Sequence, residues 1–358
     1  MKFLIVILFL ATQVLSWWEN GHMLVAQIAK NELLNSRLKV WNRANQLVKS
    51  MNGLDSDIND SFVTSAVWPD DIKDKAMNFW DLWHYYGRPI NPNGDYLQQS
   101  PIEAESNAMD FLERAIFEFS KDYDDKDLNM QKAIFIRFVL HVVGDLHQPL
   151  HNVNMFNATY PSPDGDLGGN MQYIYDLKDR KMLLHSFWDQ GAQAFQGPEY
   201  DPFSRPLNDT AKQWLQQWGE DLAKEYPKSY FEGKDTNMDF YEWSREAWII
   251  ARDFSYPLTY ETNQLTEEYV NQAQEICKSQ VVLGGYRLAN FLEMILFDYD
   301  KSQEILEKVS GYREARKMGI QREIYQKIGN LRKPKAQEQV KNNEVVDQVY
   351  GKFTFMEE

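Results

Sequence analysis

All six histidines of this 358-residue chain, His22, His84, His141, His147, His151 and His185, precede residue 186. His141 and Asp145 stand four apart in the strongly apolar stretch Phe135–His151 (FIRFVLHVVGDLHQPLH). On a helix that spacing sends both side chains from one face. His185 and Asp189 repeat it. One such pair, met alone, reads as a hydrogen-bonded core pair or a solvated helix face. Two of them, one inside an apolar segment, call for compensation of a buried carboxylate, and a divalent cation supplies it. Imidazole and carboxylate are donors that zinc prefers, so metal chemistry is the economical reading.

The cluster grows on either side. Pro149 stops the helix after Gln148, and His151 follows where irregular backbone can aim another imidazole at the same cavity. Upstream, Trp68-Pro69-Asp70 and Trp83-His84-Tyr85 add a carboxylate and a histidine flanked by large aromatics that exclude water. The elements that must position these groups are mostly helices. Apolar residues recur at helical spacing over 22–34, 108–119, 133–146 and 280–296. Strand-like alternation is confined to 171–177, after the Gly-rich stretch 164–170, so the expected fold is mainly α with one small β-hairpin near 166–180. No repeat or linker interrupts residues 17–300, which read as one helical domain, and 301–358 read as a charged helical C-terminal extension.

Residues 1–16, MKFLIVILFLATQVLS, resemble a signal peptide cleaved between Ser16 and Trp17, with an apolar run too short to span a membrane. The expected product is secreted or kept in an endomembrane or vacuolar compartment, with no membrane partner. Three Asn-x-Ser/Thr triplets, at Asn59, Asn157 and Asn208, fit such a route. The single cysteine, Cys277, excludes an intrachain disulfide and leaves core packing and bound metal to hold an exported chain together. A net charge of −15 excludes a basic protein that coats nucleic acid. No heptad pattern persists, so a monomer is expected.

In order and spacing, WWENGH (17–22), WPDDIK (68–73), LWHYY (82–86), HVVGDLHQPLH (141–151), DLGGN (166–170) and LHSFWD (184–189) resemble the secreted zinc-dependent single-strand-specific nucleases and 3′-nucleotidases of the S1/P1 type. WSREAW near Trp243 and GGYRLANFL near Gly284 extend the likeness weakly to about residue 295. The resemblance implies a helical domain related in fold to bacterial zinc phospholipase C and three Zn²⁺ per chain. Asp70, His84, His141 and Asp145 would hold one ion; Trp17, through its free amine and carbonyl, with His22 and the bridging Asp145 a second; His151, His185 and Asp189 the third. His147 has no counterpart among the ligands. Asp70 would orient the attacking water and Lys73 offset phosphoryl charge, while Tyr85 would stack a base and Asn170 contact substrate.

The implied substrates are single-stranded nucleic acid and 3′-nucleotides, cut to 5′-phosphorylated products. Gly87 stands where fungal members carry a base-binding aspartate, which leaves base preference open, and Pro69 replaces the usual alanine without touching a ligand. Two rival functions remain at this level. A zinc phospholipase C shares the helical plan, but its family ends the last ligand pair in glutamate, which Asp189 does not. A secreted zinc-binding protein without catalysis is opposed by the complete ligand set and Lys73.

Overall fold

A computed structural model of the chain describes residues 19–53, 57–73, 78–91, 106–120, 130–161, 164–195, 204–258 and 262–312. The expected signal peptide, Trp17 and the extension after residue 312 lie outside them. The described fold is mainly α. Its helices are α1 (Glu19–Ser36), α2 (Leu38–Lys49), α3 (Trp68–Asp71), α4 (Ala108–Ser120), α5 (Met130–Asp145), α6 (Leu184–Asp189), α7 (Asp209–Glu225), α8 (Phe240–Ile250), α9 (Glu267–Phe297) and α10 (299–312).

The core organises itself around α5. Every residue from Ile136 to Asp145 is buried, which fits a helix apolar on all sides and surrounded by others. Beside it, α1 buries Asn20–Ala29 and lies along α9. The approach is close enough that a Cβ built on Gly285 would stand 2.6 Å from Ile28 Cβ. The sequence pattern places the last long helix at 280–296, whereas α9 begins at Glu267. Its start has local causes: Thr266 Oγ1 accepts the Tyr269 N–H at 3.1 Å, and Glu267 and Glu268 occupy the positive end of the helix dipole.

Two small sheets serve the site. Strand β1 (Arg88–Ile90) pairs in parallel with β2 (Val153–Met155), Arg88 opposite Val153, and so fastens the chain after His84 to the chain after His151. The second sheet is an antiparallel hairpin of β3 (Tyr173–Tyr175) and β4 (Lys181–Leu183), which feeds directly into α6. Its second strand lies just beyond the expected 166–180 boundary.

Helix α10 lies mostly within the segment read from sequence as a charged extension from residue 301, and it packs. Ile305 and Val309 are buried, and both Lys308 Nζ (2.8 Å) and Tyr312 Oη (3.1 Å) reach Asp239, the N-cap of α8.

Candidate metal centre

Eight of the expected ligands come together. Ligand atoms of His22, His141 and Asp145 form one group, those of Asp70, His84 and His141 a second, and those of His151, His185 and Asp189 a third, each within 4.8 Å of one another and every residue buried. His141 belongs to two groups and its ring stacks on that of His22 at 3.8 Å. Trp17, the remaining expected ligand, lies outside the described residues; Glu19 starts α1 two residues later, and His22 sits in the first turn.

Asp145 is the hub. Its Oδ2 lies 3.0 Å from His84 Nδ1 and 3.1 Å from His141 Nε2, while its Oδ1 lies 3.4 Å from His22 Nε2 and 3.7 Å from His151 Nδ1. The α5 backbone makes this possible because Gly144 precedes it: a Cβ there would meet His22 Nδ1 at 3.0 Å.

Backbone carbonyls set three of the imidazoles. Nδ1 of His141 lies 2.6 Å from the Ala66 carbonyl, Nδ1 of His151 2.8 Å from that of His84, and Nδ1 of His185 2.7 Å from that of Gly168. A carbonyl only accepts, so Nδ1 carries the proton and each Nε2 lone pair faces the cluster, which is how outer-shell partners prepare a histidine to ligate metal. Among the described residues, Nε2 of His151 and of His185 makes no hydrogen bond, and these atoms stand 3.6 and 3.4 Å from the two Asp189 oxygens. In a tetrahedral shell with bonds of about 2.0–2.2 Å, neighbouring donors stand about 3.3–3.6 Å apart, so the donor set and its spacing fit zinc. His147 lacks that readiness: Nδ1 bonds the Val143 carbonyl at 2.7 Å, and Nε2 accepts from Arg287 at 3.0 Å.

Electrostatics point the same way. Burial holds His22 and His141 down at about 4, so both are neutral near pH 7 with their lone pairs available. Burial also lowers His151 and His185, and lowers His84 well below the ordinary imidazole value. Two carboxylates suffer from the same desolvation: Asp145 is raised, and Asp189 is pushed up to about 7 despite His185 and a hydrogen bond from Gln148. A cation among them removes that penalty. Asp70 differs. Burial pushes it up, but the Lys73 ammonium at 2.8 Å, with His141 and His22, pulls it further down, to about 2.

The remaining expected residues surround this cluster. Lys73 is mostly buried beside Asp70, and Asp70 in turn raises its pKa against the effect of burial. Tyr85, next to His84, keeps 38% of its surface exposed, while Trp83 packs behind on Phe111 and Phe138 at 4.7 and 5.0 Å, giving the aromatic wall expected of this segment. Asn170 turns its amide onto the Leu167 carbonyl at 3.0 Å and so closes the Gly-rich loop on itself.

Two supports escaped the sequence reading. Gln148 is fully buried and donates to Asp189 Oδ1 at 2.6 Å. Asp166, also fully buried, accepts the N–H groups of Met155, Gly168 and Gly169 and the Gln172 amide, and thereby shapes the loop whose Gly168 carbonyl orients His185. Both lie inside quoted motifs, and their charge or amide between ligands was the available signal.

A family profile described as S1/P1 Nuclease matches residues 17–297. Among curated relatives, Endonuclease 1 of Arabidopsis thaliana is 26% identical over 307 residues, covering 82% of this chain and 92% of that protein. Nuclease S1 of Aspergillus oryzae is 22% identical, with 80% and 94% covered. Nuclease P1 of Penicillium citrinum is likewise 22% identical, with 78% and 97% covered.

Proposed function

The chain belongs to the S1/P1 nuclease family, and we propose that it is an exported zinc-dependent endonuclease that hydrolyses single-stranded RNA and DNA to 5′-phosphorylated products and also removes 3′-phosphates from nucleotides. One observation carries this reading: eight buried His and Asp side chains from distant segments converge into three groups of metal-ligand type, two of which share His141. We assign three Zn²⁺ to Asp70, His84, His141 and Asp145; to Trp17, His22 and Asp145; and to His151, His185 and Asp189. In this assignment residues 1–16 are removed, 17–300 form the catalytic domain and 301–358 an extension, the product is a secreted or vacuolar monomer, and cleavage before Trp17 creates a ligand.

Bound zinc supplies Lewis acidity, which acidifies water and neutralises phosphate. The chain does the rest. Asp70, kept ionised by Lys73, is the carboxylate able to accept a hydrogen bond from the attacking water and orient it toward phosphorus. Lys73 adds fixed positive charge where the phosphoryl oxygens gain negative charge. The half-exposed Tyr85 ring offers a face on which an unstacked base gains roughly 1–3 kcal/mol, a gain a paired base in a duplex forgoes. Asn170, on the Gly-rich loop, is assigned a substrate contact. The whole chain's acidity is offset at the point of attack by the ions.

The test is incubation of the mature protein with single-stranded DNA, RNA, 3′-AMP and phosphatidylcholine, each with and without chelator. Chelator-sensitive cleavage of the first three is expected. Hydrolysis of lipid alone would make the protein a phospholipase C, and zinc binding with no hydrolysis would make it a metal-binding protein.

No helix among the described residues is long and apolar enough to cross a membrane.

A further inference from the structure

Arg205 is one of several buried cations outside the cluster. The Arg205 side chain is 5% exposed and spends its whole guanidinium on residues far away in sequence. Two of its nitrogens grip the Asp71 carboxylate as a fork, NH1 to Oδ2 at 2.7 Å and NH2 to Oδ1 at 2.8 Å. NH1 also donates to Asn59 Oδ1 at 2.7 Å, and the Asn59 amide donates in turn to Asp71 Oδ2 at 2.8 Å. The third nitrogen, Nε, donates to Glu19 Oε2 at 2.9 Å.

What these partners adjoin gives the arrangement its meaning. Asp71 follows Asp70 within α3, and Glu19 opens α1 two residues after Trp17. A second tie lies beside the first: Asn20 Nδ2 donates to the Phe195 carbonyl at 2.9 Å. The chain on either side of residues 196–203 is therefore fastened to two consecutive residues at the head of α1. Chain ends fray unless something fixes them. A buried ion pair is a poor source of net stability, because desolvation offsets the attraction, whereas its directional fork fixes register well.

We propose that Arg205 is a positioning residue that locks the start of the mature chain, through Glu19, against the Asp70–Asp71 turn, and so holds the terminal Trp17 at the metal centre. This rests on the assignment of Trp17 as a ligand in the proposed function. A planar fork with a third arm is needed because two separate segments must be held at once. Lysine, a single point charge, holds one of them.

The experiment measures zinc per chain and zinc affinity, by competition with a chromophoric chelator, for the wild type, Arg205→Met, Arg205→Lys and Glu19→Gln. Each is made in two backgrounds: the native start at Trp17, and a start with one added glycine that blocks the terminal amine. With the native start, Arg205→Met is expected to weaken one of the three zincs about 10- to 100-fold, the range for lost outer-shell support, and to leave the other two unchanged. Arg205→Lys and Glu19→Gln lose less. In the blocked background the same substitutions add nothing further, since the ligand they position is already gone. A merely structural arginine gives equal losses in both backgrounds, and that result, or unchanged zinc affinity, overturns the proposal. Should Arg205→Met not fold, Glu19→Gln in the two backgrounds decides the same question. Fewer than three zincs on the wild type would instead refute the trinuclear assignment itself, and this inference with it.

Discussion

Gly144 is glycine because His22 lies against it. A methyl group there would stand 3.0 Å from His22 Nδ1, and His22 is also stacked on His141, so the ring has little room to yield. Gly144→Ala is expected to keep the helical circular dichroism of the wild type while lowering kcat/KM for single-stranded DNA at least about tenfold, through loss of the zinc assigned to His22. Unchanged zinc content would show that the ring relaxes. Gln148 presents the reverse case, a group that must donate. Gln148→Glu keeps the acceptor used by the Leu150 N–H but sets a second carboxyl against Asp189 at the former 2.6 Å contact. Zinc affinity at the His151–His185–Asp189 group is expected to fall about 10- to 100-fold, read by chelator competition. The clustered His and Asp residues were legible in the sequence because these types have few reasons to recur four apart in apolar text. Their orienting partners were not: the carbonyls of Ala66, His84 and Gly168 belong to backbone, which carries no residue signature.

At the scale of elements, the contact of α1 with α9 sets where His22 can be. Gly285 faces Ile28 across it, and an added Cβ would lie 2.6 Å from Ile28 Cβ and 3.1 Å from the Val25 carbonyl. Helix propensity alone favours Gly285→Ala by up to about 1 kcal/mol. Overpacking opposes it by about 1–3 kcal/mol, and the clash wins because backbone stands on one side. Urea unfolding is therefore expected to show destabilisation; a stabilised Gly285→Ala would mean that the helices part freely. Four helices were legible from their spacing, α4 and α5 almost to their ends, whereas α7 and the first turns of α9 were not. The β1–β2 ladder was not, since three-residue strands some sixty residues apart carry no periodicity, yet that ladder holds the two ligand segments in register. Arg205 was hidden for a related reason. Its partners are 134 to 186 residues away, and an isolated arginine has no local pattern.

For the whole molecule, metal and proton compete for the same buried atoms. The chain has one cysteine, buried, and hence no intrachain disulfide. Its stability rests on the core and on whatever neutralises the carboxylates, so chelation is expected to lower Tm by many degrees. The pH dependence of the chelated protein follows from the folded-state shifts. His22 and His141 drop from 6.5 to about 4, so between those values the unfolded chain takes up protons that the native one refuses, and stability falls as pH falls through that window. His84, His151 and His185 are lowered too and act in the same sense. Asp189, raised from 3.8 to about 7, and Asp145, also raised, act oppositely: they are protonated more readily in the native state, and their contribution is lost as pH rises. The five histidines outnumber these two carboxylates, so the chelated protein is expected to melt at progressively lower temperature below about pH 6.5. Zinc holds the same imidazoles neutral, so the loaded protein is expected to keep a flat Tm to lower pH, until protons displace the ions. Thermal melts from pH 4 to pH 8, with and without chelator, separate the two curves. Parallel curves would mean that the buried imidazoles do not hold the metal.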